Sequence, residues 1–126
     1  MFVRPLLDAP ELPWTLRNAR SGLVLGHQVE PAFDSKTRRR GLLGREGLNV
    51  GAALIIAPCN SIHTFFMKFA IDAVFAARDG RVVKVCNSLP PWRLAFAWKA
   101  FAVVELPVGA IARTGTRVGD FLQIVR

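Results

Sequence analysis

The stretch IDAVFAARDGRVVKVCNSL, residues 71–89, carries the clearest structural signal in the chain. Residues 71–78 and 81–89 are largely apolar runs of strand length, and Asp79-Gly80 joins them. Asp-Gly between two such runs is typical of a type I′ turn in an antiparallel hairpin. The stretch therefore predicts a β-hairpin, and further strand signals surround it.

Short apolar runs bounded by turn residues predict strands on both sides of this hairpin. They include two short strands around Ser21-Gly22, the run AALIIAP (52–58), the run AFAVVEL (100–106) and the closing run GDFLQIVR (119–126). Helical segments are predicted at 34–45, where Asp34 or Ser35 can cap the helix, and at 107–115. We expect a mainly β fold, a single small β-sandwich or partly closed barrel of about seven short strands with two short helices.

A chain of 126 residues with 52% apolar and 21% charged residues has the size and composition of one globular domain. Pro5, Pro10 and Pro13 interrupt the first residues, which predicts a loosely held N-terminal arm over 1–13. The remaining residues, 14–126, are expected to form the single β-rich domain.

The net charge of +8 favours an anionic partner, and five of the ten residues in the segment 36–45 are Lys or Arg. No aromatic–basic interleaving or nucleic-acid-binding motif accompanies them, so specific nucleic-acid binding is not predicted.

The N-terminus lacks the apolar run of a signal peptide or a membrane span, which predicts a cytoplasmic location without a membrane span. Cys59 and Cys86 are too few for a disulfide scaffold and are expected to be reduced and buried.

The stretch CNSIHTFFMKFAID, residues 59–72, gathers the polar side chains most suited to a functional site. As a continuous strand it would place His63, Phe65 and Met67 on one face, and Lys68 with Asp72 on the other. A bend at residues 69–70 would reverse the assignment of Asp72, so the alternation leaves open whether His63 and Asp72 meet.

His63 admits four interpretations: a general base oriented by Asp72 or Glu105, a metal ligand beside Cys59, a ligand contact, or a structural histidine. The metal role is the least favoured, because Cys59 and His63 supply only two ligands; no metal site and no cofactor are predicted. Glu105 is the only carboxylate of a strongly apolar strand and therefore needs a partner, for which the candidates are Arg38, Arg40, Arg45 and His63. The catalytic candidates are His63, Asp72 and Glu105, and the ligand-binding candidates are His63, Lys68, Asp72, Trp92, Arg93, Arg40 and Arg45.

Several short sequence motifs, taken in order, resemble those of a known family. RRRGLLGR, ALIIAPCNSIHTFFMKFAIDAVFAARDGRVVKV, LPPWR, AVVELPVG and GTRVGD resemble the prokaryotic family called domain of unknown function 192. The similarity runs from about residue 30 to residue 126, with Ala70 standing where the family usually has proline. The resemblance implies a small β-rich, sandwich-like fold with short helices, and it implies no activity.

Three functions fit these features. The first is a non-enzymatic module that binds a small polar or anionic ligand near His63, Lys68 and Asp72, with Trp92 and Arg93 as a lid and Arg40 or Arg45 at the mouth. The second is a small hydrolase or isomerase with His63 as general base, although the chain lacks the usual hydrolase motifs. The third is an interaction protein that uses the basic segment 36–45.

Overall fold

A five-stranded mixed sheet lies at the centre of the protein. The computed structural model describes all residues, 1–126. The strands are β1 (Thr15–Asn18), β2 (Val24–Gly26), β3 (Gln28–Ala32), β4 (Ala52–Ile56), β5 (Ser61–His63), β6 (Ile71–Ala76), β7 (Val82–Leu89), β8 (Leu94–Phe96), β9 (Ala102–Leu106) and β10 (Leu122–Val125). The central sheet has the order β3-β4-β9-β6-β7, in which only β3 and β4 are parallel. The mainly β class is confirmed, with ten strands instead of about seven and no closed barrel.

Each face of the central sheet has its own hydrophobic core. The first core contains Val74, Val104 and Leu106 and is covered by the three-stranded sheet β10-β1-β2. The second contains Ala73, Phe75 and Val103 and is covered by the ribbon β5-β8 and by Leu42 and Met67. Because strand residues alternate between faces, neighbouring residues of β6 and β9 belong to different cores. This alternation decides which polar residues of these two strands meet.

Three short helices complete the fold: α1 (Arg4–Asp8), α2 (Ser35–Arg40) and α3 (Ala110–Thr114). Two were predicted, and α2 begins as expected, with the Asp34 side chain accepting a hydrogen bond from the Thr37 N–H at 2.8 Å. Helix α1 was not predicted, because Pro5 was interpreted as a breaker, whereas proline is tolerated in the first turn of a helix. Val3 and Leu6 are fully buried in the first core, so residues 1–13 include a packed helix and not only a loose arm.

The hairpin of β6 and β7 is confirmed, but its turn is not type I′. That turn requires positive φ at both central residues, and Gly80 has φ 90° whereas Asp79 is not in the positive-φ region. Ala77 and Arg81 pair across a three-residue loop, in which the Gly80 N–H donates to the Ala77 carbonyl. A type I turn followed by a left-handed glycine is the usual form of a three-residue hairpin loop, and it accounts for this geometry.

The stretch 59–72 is not one continuous strand. Strand β5 ends at His63, and the chain then turns through Phe66, whose φ is 66°. The next strand, β6, begins at Ile71. Thr64 is buried beneath this turn, and its N–H donates to the Arg93 carbonyl at 2.9 Å. The face assignment made from simple alternation beyond His63 is therefore wrong, because the turn resets it.

Candidate functional site

A cavity of about 200 Å³ lies over the second face of the central sheet, and Glu105 lines it. We call it the Glu105 cavity. Its wall combines the end of α2 and the loop after it with β5 and the end of β4. The residues around it are Arg38, Arg39, Arg40, Gly41, Leu42, Leu43, Ile56, Cys59, Ser61, Ile62, His63, Met67 and Glu105.

Glu105 is the buried polar group of this cavity. It lies on β9, which pairs with β4 on one side and β6 on the other, and the residue is only 3% exposed. Its Oε1 atom is buried and has no hydrogen-bond partner, whereas nearly all buried polar atoms in proteins have one. Burial raises the pKa of Glu105 to about 7, and the positive charge of Arg45 opposes this shift. Near neutral pH the side chain is therefore divided between a carboxylate and a neutral carboxylic acid.

Positive charge surrounds the mouth of the cavity. Arg38 is a half-buried residue of α2, and its side chain donates hydrogen bonds to the carbonyls of Pro58 at 3.2 Å and Asp34 at 3.3 Å. Arg40 is exposed, and its side chain has no hydrogen-bond or salt-bridge partner within the chain. Arg45 is paired with Glu30 at 2.5 Å and does not line the cavity. Of the two arginines predicted near a ligand, Arg40 thus lines the Glu105 cavity, whereas Arg45 is held in an ion pair.

His63 and Cys59 line the same cavity as Glu105. His63 ends β5 with an exposed side chain, whose ring stacks on that of Phe65 with 5.1 Å between centroids. Cys59 is half-buried, its Sγ lies 3.0 Å from the Ser61 carbonyl oxygen, and burial raises the pKa of its thiol. A thiol with a raised pKa is a weak nucleophile at neutral pH.

Asp72 and Lys68 do not join this cluster. Asp72 pairs in register with Leu106 and Glu105 with Ala73, so the two carboxylates lie on opposite faces of the central sheet. Asp72 is fully buried and accepts hydrogen bonds from the N–H groups of Ser88 (2.9 Å), Gly109 (3.1 Å) and Ile111 (3.0 Å). Lys68 forms an exposed ion pair with Glu46 at 2.6 Å. His63 and Asp72 therefore do not face one cleft.

Trp92 and Arg93 are not part of the cavity wall. Trp92 packs against the rings of Phe65 and Phe66, with centroid distances of 5.8 Å and 4.7 Å. The loop that carries both residues is held by Thr64, whose hydroxyl donates to the Pro90 carbonyl at 2.6 Å and accepts from the Arg93 N–H at 2.9 Å. This anchoring role of Thr64 has no signal in the sequence.

A third buried carboxylate, Asp120, serves the fold. It accepts hydrogen bonds from Arg20 at 2.6 Å and 3.0 Å, from the Asn18 amide at 2.9 Å and from the Arg117 N–H at 3.0 Å. The hydrogen bond from Arg20 holds its pKa well below the usual range. The bond from Arg117 is the local backbone contact expected of a turn carboxylate, whereas the Asn18 and Arg20 contacts join distant parts of the chain.

Three further observations concern the rest of the molecule. A wider, open depression of about 780 Å³ shares Cys59 and continues past Arg78, Asp79 and Lys99, but no buried unpartnered side-chain atom lines it. No group of three or more His, Cys, Asp or Glu side chains is arranged to hold a metal ion. None of the helices has the length and apolar character needed to cross a membrane.

Comparisons with known proteins place the chain among uncharacterised relatives. A family model described as Uncharacterized ACR, domain of unknown function 192, matches residues 16–124. A UPF0127 protein from Thermococcus sibiricus is 33% identical over 112 residues, which cover 83% of this chain and 71% of that protein.

Two solved structures share the fold. A protein of unknown function from Novosphingobium aromaticivorans superposes with a TM-score of 0.75 at 25% identity, over 89% of this chain and 84% of that one. A protein from Sinorhizobium meliloti, described as a candidate transcription regulator, has a TM-score of 0.75 at 23% identity, over 88% of this chain and 91% of that one. At this identity the second similarity concerns the fold alone.

Proposed function

The chain belongs to the domain of unknown function 192 family, and we propose that it is a binding module for a small anion, which enters the Glu105 cavity and meets Glu105 in its neutral form. The observation that carries the proposal is the buried, unpartnered Oε1 atom of Glu105 beside a cavity with arginines at its mouth. A buried polar atom without a partner costs free energy, and a ligand that supplies the partner recovers it.

The charges around the cavity favour an anion over a cation. Arg38, Arg39 and Arg40 all line the cavity, and they attract an anion and repel a cation. A carboxylate anion would be repelled by ionised Glu105, but it would accept a hydrogen bond from the neutral acid. Because the pKa of Glu105 is about 7, the neutral form is available near neutral pH.

The volume of the cavity limits the size of the ligand. One water molecule occupies about 30 Å³ in the liquid, so a cavity of about 200 Å³ accommodates roughly six or seven water-sized groups. Small carboxylates and inorganic phosphate fit this limit. The apolar side chains of Ile56, Leu42 and Met67 in the wall add contacts for a short hydrocarbon part.

The test uses acetate, glycolate, lactate, malate and inorganic phosphate as probes. Thermal unfolding and calorimetry of the intact chain at pH 6 should identify at least one that binds, since a ligand of the folded state raises the unfolding temperature. Glu105→Gln keeps a permanent donor at this position and should retain binding, whereas Glu105→Leu should abolish it. In the wild type, binding should weaken about 30-fold between pH 6 and pH 8.5 as Glu105 ionises, and in Glu105→Gln it should not.

The charge at the mouth is tested separately. Arg40→Gln should weaken binding of the same probe by about 3- to 10-fold, because an exposed cation contributes modestly. Arg4→Gln removes an equal charge from α1, none of whose residues lines the cavity, and should leave the affinity unchanged. Failure of every probe at pH 6, or tighter binding at high pH in the wild type, would contradict the proposal.

A small hydrolase or isomerase with His63 as general base is the second candidate, because His63 lines the same cavity as Glu105. The enzyme ranks lower, because the His63 ring stacks on Phe65 and has no hydrogen bond that would orient it as a base. The His63→Gln variant distinguishes the two functions: a binding module should keep its affinity for the anion within a few-fold, and a base-dependent enzyme should lose turnover.

The third function, an interaction through the basic segment 36–45, predicts binding to an anionic partner that weakens steeply as salt rises.

A further inference from the structure

A group of large apolar side chains protrudes from one side of the protein, and we call it the aromatic surface. Each of its members is between 55% and 72% exposed: Phe66, Trp92, Leu94, Phe96 and Trp98. Four of the five are aromatic, and all lie within 33 consecutive residues of the chain. Scattered exposed apolar residues are ordinary, whereas a contiguous group of this kind marks an interaction site.

Four of the members, Phe66, Trp92, Leu94 and Phe96, are linked through the ribbon β5-β8, and Trp98 follows Phe96 by two residues. The register pairs His63 with Leu94 and Ser61 with Phe96, so Leu94 and Phe96 point outward while Ala95 between them is buried. From His63 the contacts continue through the ring of Phe65 to Trp92. Phe66 and Trp92 then meet with 4.7 Å between ring centroids.

The backbone holds two of these aromatic residues in a costly conformation. Phe66 and Trp92 both have φ 66°, a region that bulky residues rarely occupy. Thr64 fixes both turns, since its carbonyl accepts hydrogen bonds from the Trp92 N–H at 3.0 Å and the Met67 N–H at 3.2 Å. The exposed rings are therefore presented by an ordered framework and not by loose loops.

Positive charge borders the aromatic surface. Between Asp79 and Glu105 the chain has no acidic residue and four basic ones, namely Arg81, Lys84, Arg93 and Lys99. Lys84 Nζ donates to the Phe96 carbonyl at 3.0 Å, and Lys99 Nζ lies 5.6 Å from the Trp98 ring centroid. Two of these cations, Lys84 and Lys99, thus lie at members of the aromatic surface, within a chain of net charge +8.

From this combination we infer that the aromatic surface docks the protein onto an anionic lipid bilayer. Tryptophan, phenylalanine and leucine partition into the interface of a membrane, and neighbouring lysines and arginines attract anionic headgroups. Single-stranded nucleic acid fits less well, because it needs free ring faces for stacking. Trp92 is packed between Phe65 and Phe66, and Leu94 has no ring.

The test is sedimentation of the intact chain with vesicles of phosphatidylcholine alone and with 30% phosphatidylserine. Binding to the anionic vesicles is expected, with a blue shift of tryptophan emission as Trp92 and Trp98 leave water. The double variant Leu94→Gln, Phe96→Gln should bind at least tenfold more weakly. Lys99→Gln should bind about fivefold more weakly, since each basic residue near such a surface contributes about 1 kcal/mol.

Leu23→Gln is the matched control, because it removes an exposed leucine from a turn outside the aromatic surface. It should bind the anionic vesicles as the wild type does, and circular dichroism should show that every variant is folded. No sedimentation with anionic vesicles, equal binding to neutral vesicles, or an equal loss in Leu23→Gln would overturn the inference. Binding to oligo(dT) that the double variant abolishes, without vesicle binding, would assign the surface to nucleic acid instead.

Discussion

Replacing Glu105 with glutamine removes the buried proton-binding group of the cavity while it preserves the shape of the side chain. In the folded chain the pKa of Glu105 is about 7, compared with an ordinary value of 4.5, because burial disfavours the charged form. Between these two pKa values the folded chain keeps a proton that the unfolded chain has released. The free energy of unfolding therefore falls as pH rises through this range.

The size of the effect follows from the two pKa values. At about 1.4 kcal/mol per pKa unit, a rise from 4.5 to about 7 corresponds to about 3 kcal/mol. We expect the free energy of unfolding of the wild type, relative to Glu105→Gln, to fall by about 3 kcal/mol between pH 4 and pH 8. Above pH 8 the difference between the two proteins should become constant, because Glu105 is then ionised in both states.

Urea unfolding at pH 4, 5, 6, 7 and 8, followed by far-ultraviolet circular dichroism, measures this difference. Glu11→Gln serves as the control, since Glu11 is exposed near the N-terminus, and its curve should run parallel to that of the wild type. Parallel pH dependences for the wild type and Glu105→Gln would refute the reasoning, because they would mean that Glu105 has an ordinary pKa in the folded chain.

Three further predictions concern the fold. Asp72→Ala should lower the free energy of unfolding in urea by about 3 kcal/mol, because it removes a buried carboxylate that accepts hydrogen bonds from three N–H groups, one of them buried; the exposed Asp8→Ala should have little effect. Gly80→Ala should lower it by more than about 1 kcal/mol, since a Cβ at φ 90° would collide with the Leu122 carbonyl oxygen; a stability equal to that of the wild type would contradict the turn geometry. Asp120→Asn should be less stable than the wild type at pH 5, and the gap in unfolding temperature should narrow as pH falls from 5 to 2, because the stabilisation from the lowered pKa of Asp120 is complete only above the unfolded value of about 3.8 and is lost progressively as pH falls towards the folded value. A gap as wide at pH 2 as at pH 5 would contradict this role for the Arg20–Asp120 pair.

The parts of the fold that the sequence predicts are those with local signals. Apolar runs of strand length and turn residues locate the hairpin of β6 and β7 and the buried strands β4 and β9. The turn after His63 has no glycine or proline signal, because the residue with positive φ is Phe66. The short strands β5 and β8 depend on pairing with each other across 30 residues of chain, which local patterns do not show.

The candidate site is predictable only where its residues carry a local signal in the sequence. Glu105 stands out as the only carboxylate of an apolar strand, and Arg38, Arg40 and His63, three of the four partners predicted for it, line the same cavity. None of them forms a hydrogen bond or an ion pair with Glu105, so the prediction of a partner within the chain is wrong. The position of Asp72 depends on the register between β6 and β9, and a shift of one residue would move it to the other face. The aromatic surface has no sequence signal, because phenylalanine and tryptophan in a β-rich chain are equally expected in its core.

Proton uptake on anion binding tests the central claim most directly. Titration calorimetry of the tightest probe anion, in two buffers of different ionisation enthalpy, measures the number of protons exchanged on binding. If binding requires neutral Glu105, the wild type should take up about 0.5 proton at pH 7 and about 0.9 at pH 8, and Glu105→Gln should take up none. Zero uptake in the wild type, or equal uptake in the two proteins, would contradict the account.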